Sequence, residues 1–226
     1  MPTLAERYPG PSALPGQIAV FPLLGAILLP RASLPLQVFE PRYLAMLEDA
    51  IAGHRLIGIL QPDGSGEESP AGKGNALRKV GCVGRIVAFQ ELEDGRLLIT
   101  LMGISRFDVK QEIESAKPYR VLEIDAARFA QDFESQSDED GVDRQALLKA
   151  LKTYLEARNL RIDWGAVSRL STEALVNSLS IVSPYGAEEK QALLEAENLK
   201  RRAEMLVALA EMELAAGSSG GGSTLQ

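Results

Sequence analysis

The hydrophobic pattern of the chain changes period once, near residue 127, and that change constrains the fold more than any other feature of the sequence. Before it, apolar residues come in short runs or alternate, as strands require. After it, they recur every three or four positions, as helices require. The order predicts an α+β fold in which a curled or barrel-like sheet is followed by a helical bundle. In the first part, Gln17–Phe21, Leu34–Phe39 and Leu56–Leu60 read as strands, and Val80–Gln90 is joined to Arg96–Leu101 through Asp94-Gly95, a strong hairpin signal. Further strands are expected near Ile104–Val109 and Tyr119–Asp125. One helix interrupts them: it starts at Pro41, carries Leu44, Leu47 and Ile51 on one face, and ends at Gly53 as a left-handed stop. In the second part, Leu147, Leu151 and Tyr154 mark one helix, and Ser171 caps another that stops before Pro184. A third follows Gly186, and Asn198 caps the last, with Leu199, Ala203, Leu206 and Ala210 on its apolar side.

These signals divide the chain into an extended arm (residues 1–16, rich in proline), a β-rich part (17–130), an acidic linker (131–143), a helical bundle (144–216) and a Gly/Ser tail (217–226). The net charge is −7, and much of it lies in the linker, where Asp132, Glu134, Asp138, Glu139, Asp140 and Asp143 occur without a basic residue. Such a run reads as a solvated loop. The acidic balance argues against nucleic acid as a partner, because phosphates demand a clustered basic face. The single cysteine, Cys82, and single histidine, His54, provide no metal set, and no cofactor motif is present. The apolar stretch Ile18–Pro30 is too short to span a bilayer and lacks a basic leader. No membrane association is expected, and the compartment expected is the cytoplasm.

Enzymatic signals fare poorly. Gly66 to Gly74 approximates a P-loop, but five residues separate Gly66 from Gly72 where four are needed, Gly74 stands where Ser or Thr should hold magnesium, and Pro70 removes a donor. No serine lies on a recognisable catalytic turn. Cys82 falls within an apolar strand and reads as a small buried hydrophobe, and Trp164 reads as core. The apolar loop containing Leu23, Leu24, Ile27, Leu28 and Leu29 must bury against something, either its own sheet or a protein partner.

One constellation is more specific. FPLLGAILLPRASLPLQVFEPRY (Phe21–Tyr43), GCVGRIVAFQELEDGRLLITLMGISRF (Gly81–Phe107) and PYGAEEKQALLEAENLKRRAEML (Pro184–Leu206) resemble, in order, the signatures of the Lon substrate-binding domain family. The resemblance implies a pseudo-barrel of PUA-like topology followed by a helical bundle. In that family the domain precedes an ATPase module and a Ser–Lys peptidase domain, for which this chain has no room. It therefore implies a stand-alone, non-catalytic binding or adaptor module that recognises unfolded or exposed polypeptide segments, with a separate protease as a further partner. The motif residues Phe39, Glu40, Arg42, Tyr43, Arg106 and Phe107 read as structural: Phe39, Tyr43 and Phe107 as core, Glu40 with Arg42 as a helix-entry pair, Arg106 paired across the hairpin. Two other readings stand beside it. A small hydrolase would gather Glu40, Arg42 and Arg106 around an anion; a PUA-like RNA-binding protein would need a basic face that the charge disfavours.

Overall fold

The computed structural model describes residues 3–65, 74–134, 139–157 and 163–219. Six strands form one sheet: β1 (Gln17–Pro22), β2 (Ser33–Val38), β3 (Leu56–Leu60), β4 (Val80–Glu91), β5 (Leu97–Ile113) and β6 (Arg120–Asp125). The spatial order is β2-β5-β4-β3-β1-β6, and β6 also pairs with β5. That extra pairing closes β1, β3, β4, β5 and β6 into a barrel, with β2 left outside on the first half of β5. β1 and β3 run parallel, and the other pairs run antiparallel. Leu97–Ile113 is one continuous strand where the sequence suggests two. The reason is Gly103, at which a break seemed due. Its N–H and C=O bond across to Ala32 and Arg31, and a side chain there would strike the Leu29 carbonyl oxygen at 2.0 Å. The glycine lets the loop before β2 lie directly on the strand.

Residues 3–16 are packed, not an extended arm. Thr3 and Glu6 form a reciprocal capping box on the short helix α1 (Leu4–Arg7). Tyr8 is buried against the barrel interior, where it joins Ile18, Val20, Leu56, Leu60 and Phe107. Its hydroxyl accepts a hydrogen bond of 2.8 Å from Arg85. The prolines here fix turns instead of keeping the chain away from the sheet.

Helix α2 (Pro41–Ala52) begins at the proline, and its buried face is Tyr43, Met46, Leu47 and Ala50. Gly53 ends it at φ −105, and the left-handed residue is Arg55 at φ 62. The bundle comprises α3 (Arg144–Ala157), α4 (Trp164–Arg169), α5 (Thr172–Val182), α6 (Ala187–Glu195) and α7 (Leu199–Ser219). Ser171 and Asn198 cap α5 and α7 as their sequences suggest. Trp164, by contrast, is 42% exposed on the short helix α4. A second apolar core runs from the outer face of the sheet through α2 into the bundle, with Leu28, Leu47, Leu101, Val176 and Leu193 among its members.

The acidic segment is not simply a solvated loop. Asp132 is buried, Glu139 accepts the backbone N–H of Glu173, and Asp143 caps the start of α3. Each acid meets an orphan donor that water would otherwise have to satisfy. Asp138 and the near P-loop residues 66–73 lie outside the described residues.

Candidate functional site

The loop between β1 and β2 decides which suggested contact residues are available. Ile27, Leu28 and Leu29 are packed in the core beside β4 and β5 with almost no exposed surface, so burial against the protein's own sheet accounts for them. Leu23 is half-buried, and Leu24 projects at 70% exposure. Just beyond it, Gly25 at φ 70 donates its N–H to the Gln61 side chain at 2.8 Å, which fixes the bend that turns Leu24 outward.

Leu24 forms one wall of a cleft of about 370 Å³. Pro22 lies beside it, Arg42 and Tyr43 come from the first turn of α2, and Tyr119 and Arg120 come from the entry to β6. The structure thus brings together residues from two sequence arguments: Leu24 of the apolar loop, and Arg42 and Tyr43 of the family motif. Arg42 donates from Nε to Glu40 at 3.0 Å, and its guanidinium lies 4.6 Å from the centre of the Tyr43 ring. Tyr43 in turn packs on Phe21, with ring centres 4.2 Å apart. The Glu40–Arg42 pair is wet, with side-chain exposures of 44% and 48%. Arg120 is spent internally: it makes a two-pronged pair with Glu112 and donates to the Asn75 carbonyl at 2.6 Å. Tyr119 donates its hydroxyl to Asp49, which also pairs with Lys117 at 2.7 Å.

These surroundings set the proton states. Burial pushes the Tyr119 phenol up to about 12, and its bond to Asp49 adds to the rise. Burial also raises Tyr43. Hydrogen bonds from Lys117 and then Tyr119 hold the Asp49 carboxyl below its usual range. The cleft therefore presents neutral phenols and one half-exposed guanidinium at neutral pH.

The remaining motif residues go elsewhere. Phe39 is 62% exposed, not core, because the chain turns outward at the corner before Pro41. Phe107 is fully buried inside the barrel, where Gly58 and Gly81 make room for its ring. Arg106 is 2% exposed and pairs with Asp132, 26 residues on, instead of with a neighbour across the hairpin. It is held by a fork of 2.8 and 2.9 Å to that carboxylate, donates to the carbonyls of Leu194 and Ala196, and stacks 4.6 Å from the Phe129 ring. Arg202 continues the junction, donating to the Leu193 carbonyl and to Asn177, whose amide reaches Pro30. Two buried arginines thereby cap the last turn of α6 and fasten the bundle to the barrel. Glu40, Arg42 and Arg106 consequently do not surround one anion.

Sequence reasoning missed Tyr119, Arg120, Asp132 and Arg202. A faint signal existed in Lys117-Pro118-Tyr119-Arg120, a proline-led aromatic and basic turn. Cys82 is fully buried, and burial pushes its thiol far up, away from reactivity. Among the described residues no group of three or more His, Cys, Asp or Glu could hold a metal ion, and no helix is long and apolar enough to cross a membrane.

Comparison with known proteins agrees with this architecture. The Lon protease of Flavobacterium johnsoniae is 26% identical over 197 residues, covering 84% of this chain and 23% of that protein. Lon protease 2 of Myxococcus xanthus is 26% identical over 215 residues, covering 92% of this chain and 24% of that protein. The chain thus spans about a quarter of the length of these curated relatives. Among solved structures, the Lon N-terminal domain protein from Xanthomonas campestris superposes with a TM-score of 0.59 at 26% identity, covering 85% of this chain and 97% of that one. The N-terminal domain of Mycobacterium avium complex Lon protease gives a TM-score of 0.62 over 86% of this chain and 98% of that one. Its identity, 16%, makes it a likeness of fold alone. The family model of the ATP-dependent protease La (LON) substrate-binding domain matches residues 17–211, and the chain belongs to that family.

Proposed function

We propose that this protein is a non-catalytic module that binds exposed segments of other polypeptides, and that the cleft beside Leu24 is the seat. One observation carries the reading: a large aliphatic side chain is held outward, at 70% exposure, on the rim of a preformed concavity walled by tyrosine and proline. Unfolded chains display apolar side chains on an extended backbone. A cleft with aromatic faces and few charges accepts such side chains without demanding one sequence. Family membership supports the same role, since a substrate-binding domain must engage polypeptide before any cleavage takes place elsewhere. A separate protease is a natural partner for such a module. One buried thiol, Cys82, fits a reducing, cytoplasmic setting.

The other readings lack support. A hydrolase organised by Glu40, Arg42 and Arg106 needs all three at one place, and Arg106 is spent at the junction. RNA binding needs a basic face on a chain whose net charge is −7.

The test uses fluorescence anisotropy with a labelled, permanently unfolded model polypeptide. Binding in the micromolar range is expected, with Leu24→Asp weakening it about tenfold or more while leaving the thermal midpoint unchanged, as for an exposed substitution. No binding, or full binding by Leu24→Asp, would sink the assignment.

A further inference from the structure

The charged side chains that line the cleft are of one sign, while the carboxylates bonded to its residues, Glu40 on Arg42, Glu112 on Arg120 and Asp49 on Tyr119, stand beside the lining. The charged residues lining it are Arg42 and Arg120, with no acidic residue among the described lining residues, in a protein whose net charge is −7. The two arginines are not equivalent. Arg120 has only 7% of its side chain exposed, and both prongs are committed to Glu112 while a third donor holds the Asn75 carbonyl. It is a wall. Arg42 has 48% exposure, and Glu40, its carboxylate partner, is 44% exposed. Water screens an ion pair of that kind, so a better-placed carboxylate exchanges for it readily. The Tyr43 ring under the guanidinium, at 4.6 Å, keeps the donor fork in place whichever carboxylate it holds. The Tyr43 and Tyr119 phenols stay protonated at neutral pH, and Lys117 balances the Asp49 carboxylate bonded to Tyr119.

On the reading of the cleft as a polypeptide seat, we infer that it selects segments carrying a carboxylate next to an apolar side chain. The apolar group lies against Leu24 and Pro22, and Arg42 releases Glu40 to grip the carboxylate with two parallel N–H···O bonds. Two sources present this chemistry: the free carboxyl terminus of a chain that ends in an apolar residue, and an aspartate or glutamate beside such a residue.

Three labelled peptides separate the possibilities: one ending in Phe-Leu with a free carboxylate, the same peptide amidated, and the amidated peptide with Asp inserted after the Leu. Anisotropy titrations of the full chain should show a carboxylate-bearing peptide binding about tenfold more tightly than the plain amide. That preference should vanish in Arg42→Gln, persist in part in Arg42→Lys, and grow in Glu40→Gln, which frees the fork. Tight binding of the free-carboxylate peptide alone identifies a reader of chain ends, and equal binding of the Asp peptide identifies a reader of acidic side chains; either supports the inference. Equal affinity for all three overturns it and leaves the polypeptide reading standing. A carboxylate preference that survives Arg42→Gln overturns the role of Arg42. Failure of every peptide to bind removes both readings. Far-ultraviolet circular dichroism of each variant, unchanged from the parent, establishes that the losses are local.

Discussion

The barrel–bundle junction and the cleft contain the same chemical trio, an arginine stacked on an aromatic ring and paired with a carboxylate. Arg106 lies 4.6 Å from Phe129 and pairs with Asp132; Arg42 lies 4.6 Å from Tyr43 and pairs with Glu40. What differs is water. Arg106 and Asp132 have side-chain exposures of 2% and 7%, while Arg42 and Glu40 have 48% and 44%. In the interior, neither partner can turn to solvent, so the pair persists and two carbonyls of the α6–α7 corner are satisfied with it. At the surface the same groups can trade partners at little cost. Exclusion of solvent makes the first trio a fastener, and access to solvent leaves the second one free to exchange partners.

The sharpest way to break this contrast is to remove one carboxylate from each trio. Asp132→Ala strands a buried guanidinium and a backbone N–H, and should cost about 3–5 kcal/mol, read as a lower urea midpoint. Adding Arg106→Met should restore part of that stability, since the stranded charge goes; recovery stays incomplete because the Leu194 and Ala196 carbonyls lose their donor. Glu40→Ala should cost less than about 1 kcal/mol in the same assay, as for any solvated pair. Equal losses at the two sites would erase the distinction.

The smallest expected effect concerns a third polar contact, between α2 and β3. The Nδ1 atom of His54 accepts the Leu56 N–H at 3.0 Å, and partial burial of the otherwise exposed ring holds the imidazole below its ordinary value of 6.5. The neutral ring is the form the fold prefers. Its contribution is intact above pH 6.5 and is lost as the pH falls from there through the lowered folded value. A thermal midpoint followed from pH 7.5 to 5.5 should therefore decline slightly, and His54→Gln should flatten that part of the profile. An unchanged slope would show that the ring does not report folding.

Local signals carried most of the fold. Leu56–Leu60 is a strand because five consecutive apolar residues are buried on both faces, and Asp94-Gly95 makes its hairpin because Gly95 reaches φ 80 at no cost. Ser171 and Asn198 cap the helices that follow them. Where the sequence misled, distant partners decided. Tyr8 finds Arg85, 77 residues on; Arg106 finds Asp132, 26 residues on; and Asn177 reaches Pro30 across 147. No periodicity encodes such pairings. The candidate cleft was half legible for the same reason. Leu24, Arg42 and Tyr43 belong to contiguous motifs, whereas Tyr119 and Arg120 join them only once β6 closes the barrel. Ile27, Leu28 and Leu29 looked equivalent to Leu24 in the sequence; the close approach at Gly103 fixes Leu28 and Leu29 inside, and the bend at Gly25 turns Leu24 out.

That long fifth strand has a mechanical consequence. Residues 97–102 hold β2, residues 97–108 hold β4, and residues 108–113 hold β6. The outer strand and the closed barrel share this one unbroken backbone, so a load applied at β2 passes directly into the barrel wall. Amides of residues 97–102, which bond to β2 on one side and β4 on the other, should therefore be among the slowest in the protein to exchange with solvent.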